Sequence, residues 1–210
     1  MKKIYIICNA GKQSGLGHLS RSLLVAAMLN LKFSCEVEFI IKGSKFIYKE
    51  LKNFRHKFFS KDIDFTTKIQ TTINSADCYF FDINENFLPF NFNKIFELLK
   101  QSRAKKIAID CFKDYLEIFD LIFIPSFKLD HTKNLHKKIG GKIVFGWDCF
   151  IIDQNIDVKN WSPGKNIIIL TGGSDFYKIG NFLPKNLDEK LPSDINLNWI
   201  TGPFSKKPKF

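Results

Sequence analysis

A glycine-rich turn, Ser14-Gly15-Leu16-Gly17, runs directly into His18-Leu19-Ser20-Arg21, a few residues after an apolar run at 4–8. A strand that ends in such a turn and feeds a helix aims backbone N–H groups and the positive end of a helix dipole at one point. That point suits a phosphate or a sugar oxyanion. His18, Arg21 and Ser22 fall on one helical face at offsets of three and four. Leu19, Leu23, Leu24, Ala27, Met28 and Leu31 supply apolar positions for packing. The turn thus joins an anion cradle to a titratable side chain of the kind used as a general base. The same local pattern also suits a histidine that only caps or packs.

Other residues of chemical interest sit at the ends of strand-like runs. Asp82 closes Cys78-Tyr79-Phe80-Phe81, and Asp110 closes Ile107-Ala108-Ile109. In an open parallel sheet, ligands bind outside the carboxyl ends of the strands, so each aspartate either faces the same crevice as the glycine turn or caps the element that follows it. Gly172, Gly173 and Ser174 form a second contact for an oxyanion or diphosphate at a helix start, with Asp175 as the cap of that helix. Phe145-Gly146-Trp147-Asp148 and the run from Phe123 to Phe127 end strands and either line a cleft or pack. Asp120 precedes its strand and reads as structural, while His56, His131 and His136 lie in lysine-rich, polar surroundings.

The glycines do not fit the dinucleotide pattern, because no third glycine follows Gly15-x-Gly17 at the required spacing, and there is no GxxxxGK[ST] run. The cysteines Cys8, Cys35, Cys78, Cys111 and Cys149 are odd in number and widely spaced. They read as reduced core residues of a cytoplasmic protein, with no CxxC pair for zinc, and neither a metal nor a cofactor is expected.

The formal charge of +11 raises the question of nucleic acid, but Arg21, Arg55 and Arg103 are the only arginines, and lysine is spread in ones and twos. Nucleic-acid readers lean on arginine forks, so a nucleic-acid partner is not expected. Nor is a membrane span or a secretory leader, since no apolar run approaches the necessary length.

These residues require a scaffold of parallel strands and covering helices. With 210 residues, 45% of them hydrophobic, the chain has ample material for a core. Short, mostly continuous apolar runs at 4–8, 37–41, 78–81, 107–109, 121–124, 143–145, 167–170 and 197–200 read as parallel strands covered on both faces. Helical patterns at 19–31, 46–54, 67–73, 95–99 and 179–191, the last with Pro184 near its middle, complete a doubly wound α/β sheet. A turn-rich connector at 157–165 divides an N-terminal domain, residues 1–160, from a partial C-terminal one, residues 165–210. The second repeats in outline the strand, glycine turn and helix of the first.

With these motifs in view, the chain resembles the UDP-sugar hydrolases of pseudaminic acid biosynthesis, which release 2,4-diacetamido-2,4,6-trideoxy-L-altrose from its UDP conjugate, and the related spore-coat polysaccharide proteins. The resemblance rests on Gly15-Leu16-Gly17-His18 with Arg21, on the strand ends Asp82 and Asp110, on Phe145-Gly146, and on Thr171-Gly172-Gly173-Ser174-Asp175. It implies a GT-B-like fold whose second, Rossmann-like domain is truncated, and a cytoplasmic enzyme that needs no metal. By that likeness His18 activates water, Gly15, Gly17, Arg21, Asp82 and Asp110 bind substrate, and Gly172, Gly173 and Ser174 bind the nucleotide.

The chain departs from the family pattern at three places. Asn9-Ala10-Gly11-Lys12 stands where Arg-x-Asp is usual, Asp82-Ile83-Asn84 replaces Asp-x-Tyr, and Ile151-Ile152-Asp153 replaces an Arg-Glu-Phe-like stretch.

The expected activity is hydrolysis of a UDP-linked deoxyamino sugar, with water attacking the anomeric carbon and UDP leaving. Two alternatives stand beside it. One is a GT-B glycosyltransferase of surface polysaccharide, in which an acceptor hydroxyl replaces water. The other is a non-catalytic nucleotide-sugar-binding protein or inactive fragment.

Overall fold

A computed structural model describes residues 1–89, 92–126, 142–153, 160, 162–175 and 177–209. Phe127, His131, His136, Trp161 and the connector positions 157–159 lie outside the described residues. The chain forms two compact units: Met1–Asn9 with His18–Ile152, and Ala10–Gly17 with Asp153–Phe210.

Unit 1 is built on β1 (Lys3–Asn9), β2 (Glu36–Lys42), β3 (Arg55–Phe59), β4 (Cys78–Asp82), β5 (Lys105–Ile109), β6 (Leu121–Ile124) and β7 (Ile143–Phe145). They form one sheet in the order β3-β2-β1-β4-β5-β6-β7, with every pairing parallel. Outward from β1 the chain first builds one side of the sheet and then the other, so the strand order reverses between β1 and β4. In that register Cys8 lies opposite Asp82. Open α/β sheets bind their ligands at the carboxyl ends of the two strands flanking such a reversal. Here those ends carry Asn9 and Asp82.

The central strands are apolar without alternation because both faces are covered. One face carries Tyr5, Ile7, Tyr79 and Phe81, packed with Phe65 and Ile69 of α2 (Asp62–Thr72) and Ile95, Phe96 and Leu99 of α3 (Asn93–Gln101). Aromatic rings dominate it. Phe81 meets Phe112 and Phe119 edge to face at 5.6 and 5.4 Å, within the range such pairs prefer. Alternation puts Phe80 and Asp82 on the opposite face, which is the face that α1 (Gly17–Phe33) reaches with Ser22.

Three expectations of local structure are corrected. Residues 46–54 hold only a short 3₁₀ turn, Lys49–Asn53, followed by β3, which the sequence reading missed. β3 is an edge strand whose Arg55, His56 and Lys57 are exposed, the kind of charged edge that discourages pairing with another chain. On α1 the buried positions are Leu19, Ser22, Leu23 and Ala26, whereas Ala27, Met28 and Leu31 are exposed. The helix therefore packs along a narrower stripe than its leucines imply.

Unit 2 contains β8 (Asn166–Leu170) and β9 (Asn196–Ile200), paired in parallel, and between them the short helix α4 (Leu183–Asp188). The expected helix over 179–191 is split: a 3₁₀ turn at Ile179–Asn181 is followed by α4, with Pro184 in its first turn. Proline lacks an N–H and has its φ preset, so it starts a helix there rather than continuing one. The segment Ala10–Gly17 folds back on itself, Gly11 and Gly15 exchanging backbone hydrogen bonds of 3.0 and 2.8 Å. Among the described residues no helix is long and apolar enough to cross a membrane.

Candidate active site

In unit 1, one carboxylate gathers three side chains from the first turns of α1. Asp82, at the end of β4, is fully buried. Its Oδ1 lies 2.7 Å from His18 Nδ1 and accepts from Arg21 Nη2 at 2.5 Å. Its Oδ2 accepts from Arg21 Nε at 2.8 Å and from Ser22 Oγ at 3.3 Å. The helical spacing of residues 18, 21 and 22 makes this convergence possible, because all three side chains leave the same face of the helix. A buried carboxylate without such partners would be costly. The two-pronged arginine contact is the geometry that best compensates one.

The arrangement defines the histidine. An ionised carboxylate only accepts, so Nδ1 carries the hydrogen, and in the neutral imidazole Nε2 holds the lone pair. Among the described residues nothing bonds to Nε2, and the His18 side chain is about a quarter exposed, at 23%. A fixed tautomer with an available Nε2 is what a general base requires. Burial acts to lower the Arg21 pKa, but its bonds and charge interaction with Asp82 outweigh this and raise it, so the guanidinium stays charged.

Asp110 is placed differently. It takes a left-handed backbone at φ 56° just beyond β5, is exposed, and pairs with Lys113 at 3.1 Å. It acts on Arg21 only as a nearby charge. Asp120 accepts from the Lys106 N–H and pairs with Lys105, each at 2.9 Å, a structural role.

Sequence reasoning passed over Asn9 as a site residue. Its Oδ1 accepts from the Asn84 N–H at 3.2 Å, while its buried Nδ2 has no partner among the described residues. An asparagine ending the first central strand, next to the strand that Asp82 ends, was the available signal.

In unit 2 the two glycine turns come together. Ser14, Gly15, Leu16 and Gly17 line a cavity of about 260 Å³ with Gly172, Gly173 and Ser174. Gly173 must be glycine, since a Cβ there would stand 2.9 Å from the Leu16 backbone nitrogen. Gly15 and Gly172 have φ of 70° and 77°, which other residues adopt only with strain. Asp175 accepts from the N–H groups of Ile179 and Gly180 at 2.9 and 3.0 Å, so it caps the turn that follows.

Among the described residues no group of three or more His, Cys, Asp or Glu is arranged to hold a metal ion. All five cysteines are free thiols.

No family model matches the sequence. No curated protein matches it either. Solved structures do. MurG from Acinetobacter baumannii is similar over 96% of this chain and 58% of its own, with 13% identity and a TM-score of 0.52. The lipopolysaccharide outer core galactosyltransferase WaaB, in its apo form, is similar over 95% of this chain and 68% of its own, with 13% identity and a TM-score of 0.51. The fold is GT-B-like. A further similar structure is an alpha-glucosyltransferase in complex with UDP, with 15% identity and a TM-score of 0.46 over 78% of this chain. The GT-B-like chain spans 43% of that glucosyltransferase and 58% of the MurG chain.

Proposed function

We propose that this chain is a glycosyl-transferring enzyme acting on a nucleotide-linked sugar, with His18 as general base. The observation that carries the reading is the buried Asp82 at the carboxyl end of β4, holding His18 by Nδ1 and leaving Nε2 to act. Similarity in fold to MurG and to a galactosyltransferase supports an acceptor hydroxyl as the nucleophile. In the reaction, His18 Nε2 takes the proton of the attacking O–H as its oxygen bonds to the anomeric carbon. The carbon–oxygen bond to the diphosphate breaks, and its electron pair leaves with the nucleotide. Attack opposite the leaving group inverts the anomeric centre. Asp82 and Arg21 act as positioning residues. Gly17, Gly172, Gly173 and Ser174 offer backbone N–H groups to the diphosphate, while the Gly15 N–H is taken by the Gly11 carbonyl; UDP is the nucleotide that the sequence resemblance favours.

The same base serves water equally well. The sequence motif Gly15-Leu16-Gly17-His18, with Arg21 and Asp82, favours hydrolysis of a UDP-linked deoxyamino sugar as the second reading.

Incubation with UDP-linked acetamido sugars, with and without glycan acceptors, separates the two by product: glycoside for transfer, free sugar for hydrolysis. A positioned base contributes about 10²–10⁴-fold, so His18→Ala should lose that factor in kcat while binding of UDP persists. Turnover unchanged in His18→Ala removes the mechanism.

A further inference from the structure

Unit 2 holds a second, larger cavity of about 540 Å³, and its chemistry differs from that of the glycine turns. Lys12, Lys178, Lys206, Lys207 and Lys209 line it, contributed by three separate stretches of chain. Among the described residues none of the five stands in an ion pair. The single acidic residue in the wall is Asp175, and both of its oxygens are engaged in capping Ile179 and Gly180. Lys178 is held there in a left-handed backbone, φ 56°, a conformation unfavourable for a lysine.

Ammonium groups sharing one concave wall repel one another and raise the local potential, so the empty cavity is electrostatically unfavourable. A single negative charge would leave most of that repulsion in place. A ligand with several negative charges at short separation relieves it, and the volume is that of an ordinary small-molecule site. What sets these lysines apart is that five of them share one concave wall.

We infer that the lysine-lined cavity of unit 2 binds a small ligand bearing a diphosphate or two closely spaced phosphates, separately from the cavity made by the glycine turns. The five lysines act as point charges, and Ser174, shared by both cavities, offers a hydroxyl. This assignment does not depend on the glycosyl-transfer reading.

Calorimetric titration of the whole chain with inorganic pyrophosphate tests it. One equivalent should bind, weakened severalfold when salt is raised from about 0.05 to 0.5 M, because screening shortens the reach of exposed charges. The triple variant Lys206→Gln/Lys207→Gln/Lys209→Gln should weaken binding by about tenfold, since it removes three of the five charges that face the ligand. A control removing equal charge elsewhere, Lys94→Gln/Lys100→Gln/Lys113→Gln, should leave the affinity unchanged. A parallel UDP titration of the wild type and both triple variants shows whether nucleotide binding follows the lysines or is independent of them.

The proposal is overturned if pyrophosphate does not saturate, if both triple variants weaken it equally, or if only glycine-turn changes affect it. UDP binding without lysine-dependent pyrophosphate binding overturns this inference alone. Preference for a single-stranded oligonucleotide over pyrophosphate at equal charge would also overturn it.

Discussion

The two parallel sheets begin from the same sequence recipe and end differently. In unit 1, Ile6 and Ile7 are completely inaccessible, whereas in unit 2 the equally apolar β8 leaves Ile168 and Leu170 65% and 66% exposed. A run of branched apolar residues declares that a strand can be buried on both faces. It does not supply the layers that bury it. In unit 1, α1 covers one face, and α2 and α3, with a cluster of phenylalanines, cover the other. Among the described residues of unit 2, a two-stranded sheet with one short helix has no comparable cover. The same difference governs polar groups. A carboxylate can be sealed in unit 1 because three donors on one helix reach it, while the charges of unit 2 stay at the surface and face an open cavity.

Replacing Asp82 should produce the largest effect and breaks the comparison at its centre. Asp82→Ala leaves the Arg21 guanidinium without its counter-charge and His18 without its anchor, so it should cost about 3–5 kcal/mol in chemical denaturation. A loss below about 1 kcal/mol would mean that the buried cluster contributes little to the fold.

Packing comes next. Phe81→Ala removes a ring from the aromatic cluster and should cost about 3–5 kcal/mol, against under about 0.5 kcal/mol for Ile168→Ala on the exposed strand. Equal losses at the two positions would erase the contrast between the sheets.

The smallest effect concerns pH at the rim of unit 1. Burial pushes the Asp120 carboxyl up, but hydrogen bonds from Lys105 and the Lys106 N–H outweigh it, and the folded pKa lies below the ordinary value. Asp120 therefore stabilises the fold above the ordinary carboxylate range, and the contribution is lost as pH falls through the depressed folded value. Asp120→Asn should lower Tm by about 1–3 °C at neutral pH, with the gap closing in acid. A gap that widens in acid would reverse the sign of this argument.

Much of this was visible in the residues alone, for definite reasons. The strands that became β1, β2 and β4 to β7 were legible because burial on both faces leaves unbroken apolar runs. The meeting of His18, Arg21 and Ser22 followed from helical spacing, and Asp82 from its place at a strand end. Asp110 had the same signature, yet the backbone turns left-handed at that residue and carries its carboxylate to Lys113. Sequence spacing does not encode that turn. Edge strand β3 was hidden because an edge needs charge more than hydrophobicity, and Arg-His-Lys looks nothing like a core strand. The helix over 179–191 failed at Pro184, which stands near the middle of the expected span but in the first turn of α4. Asn9 was overlooked because an isolated asparagine after a strand resembles any loop residue until its neighbours are known.

The membership of Ala10–Gly17 has a practical consequence for anyone wishing to dissect the molecule. These eight residues are flanked on both sides by unit 1 sequence but complete the wall around Gly173, so the C-terminal unit is discontinuous in the gene. A shortened clone beginning at Asp153 would encode a body lacking one of its own pieces. Studying it in isolation would call for a synthetic peptide of the missing loop supplied in trans, or for a circularly rewired chain that joins the two stretches.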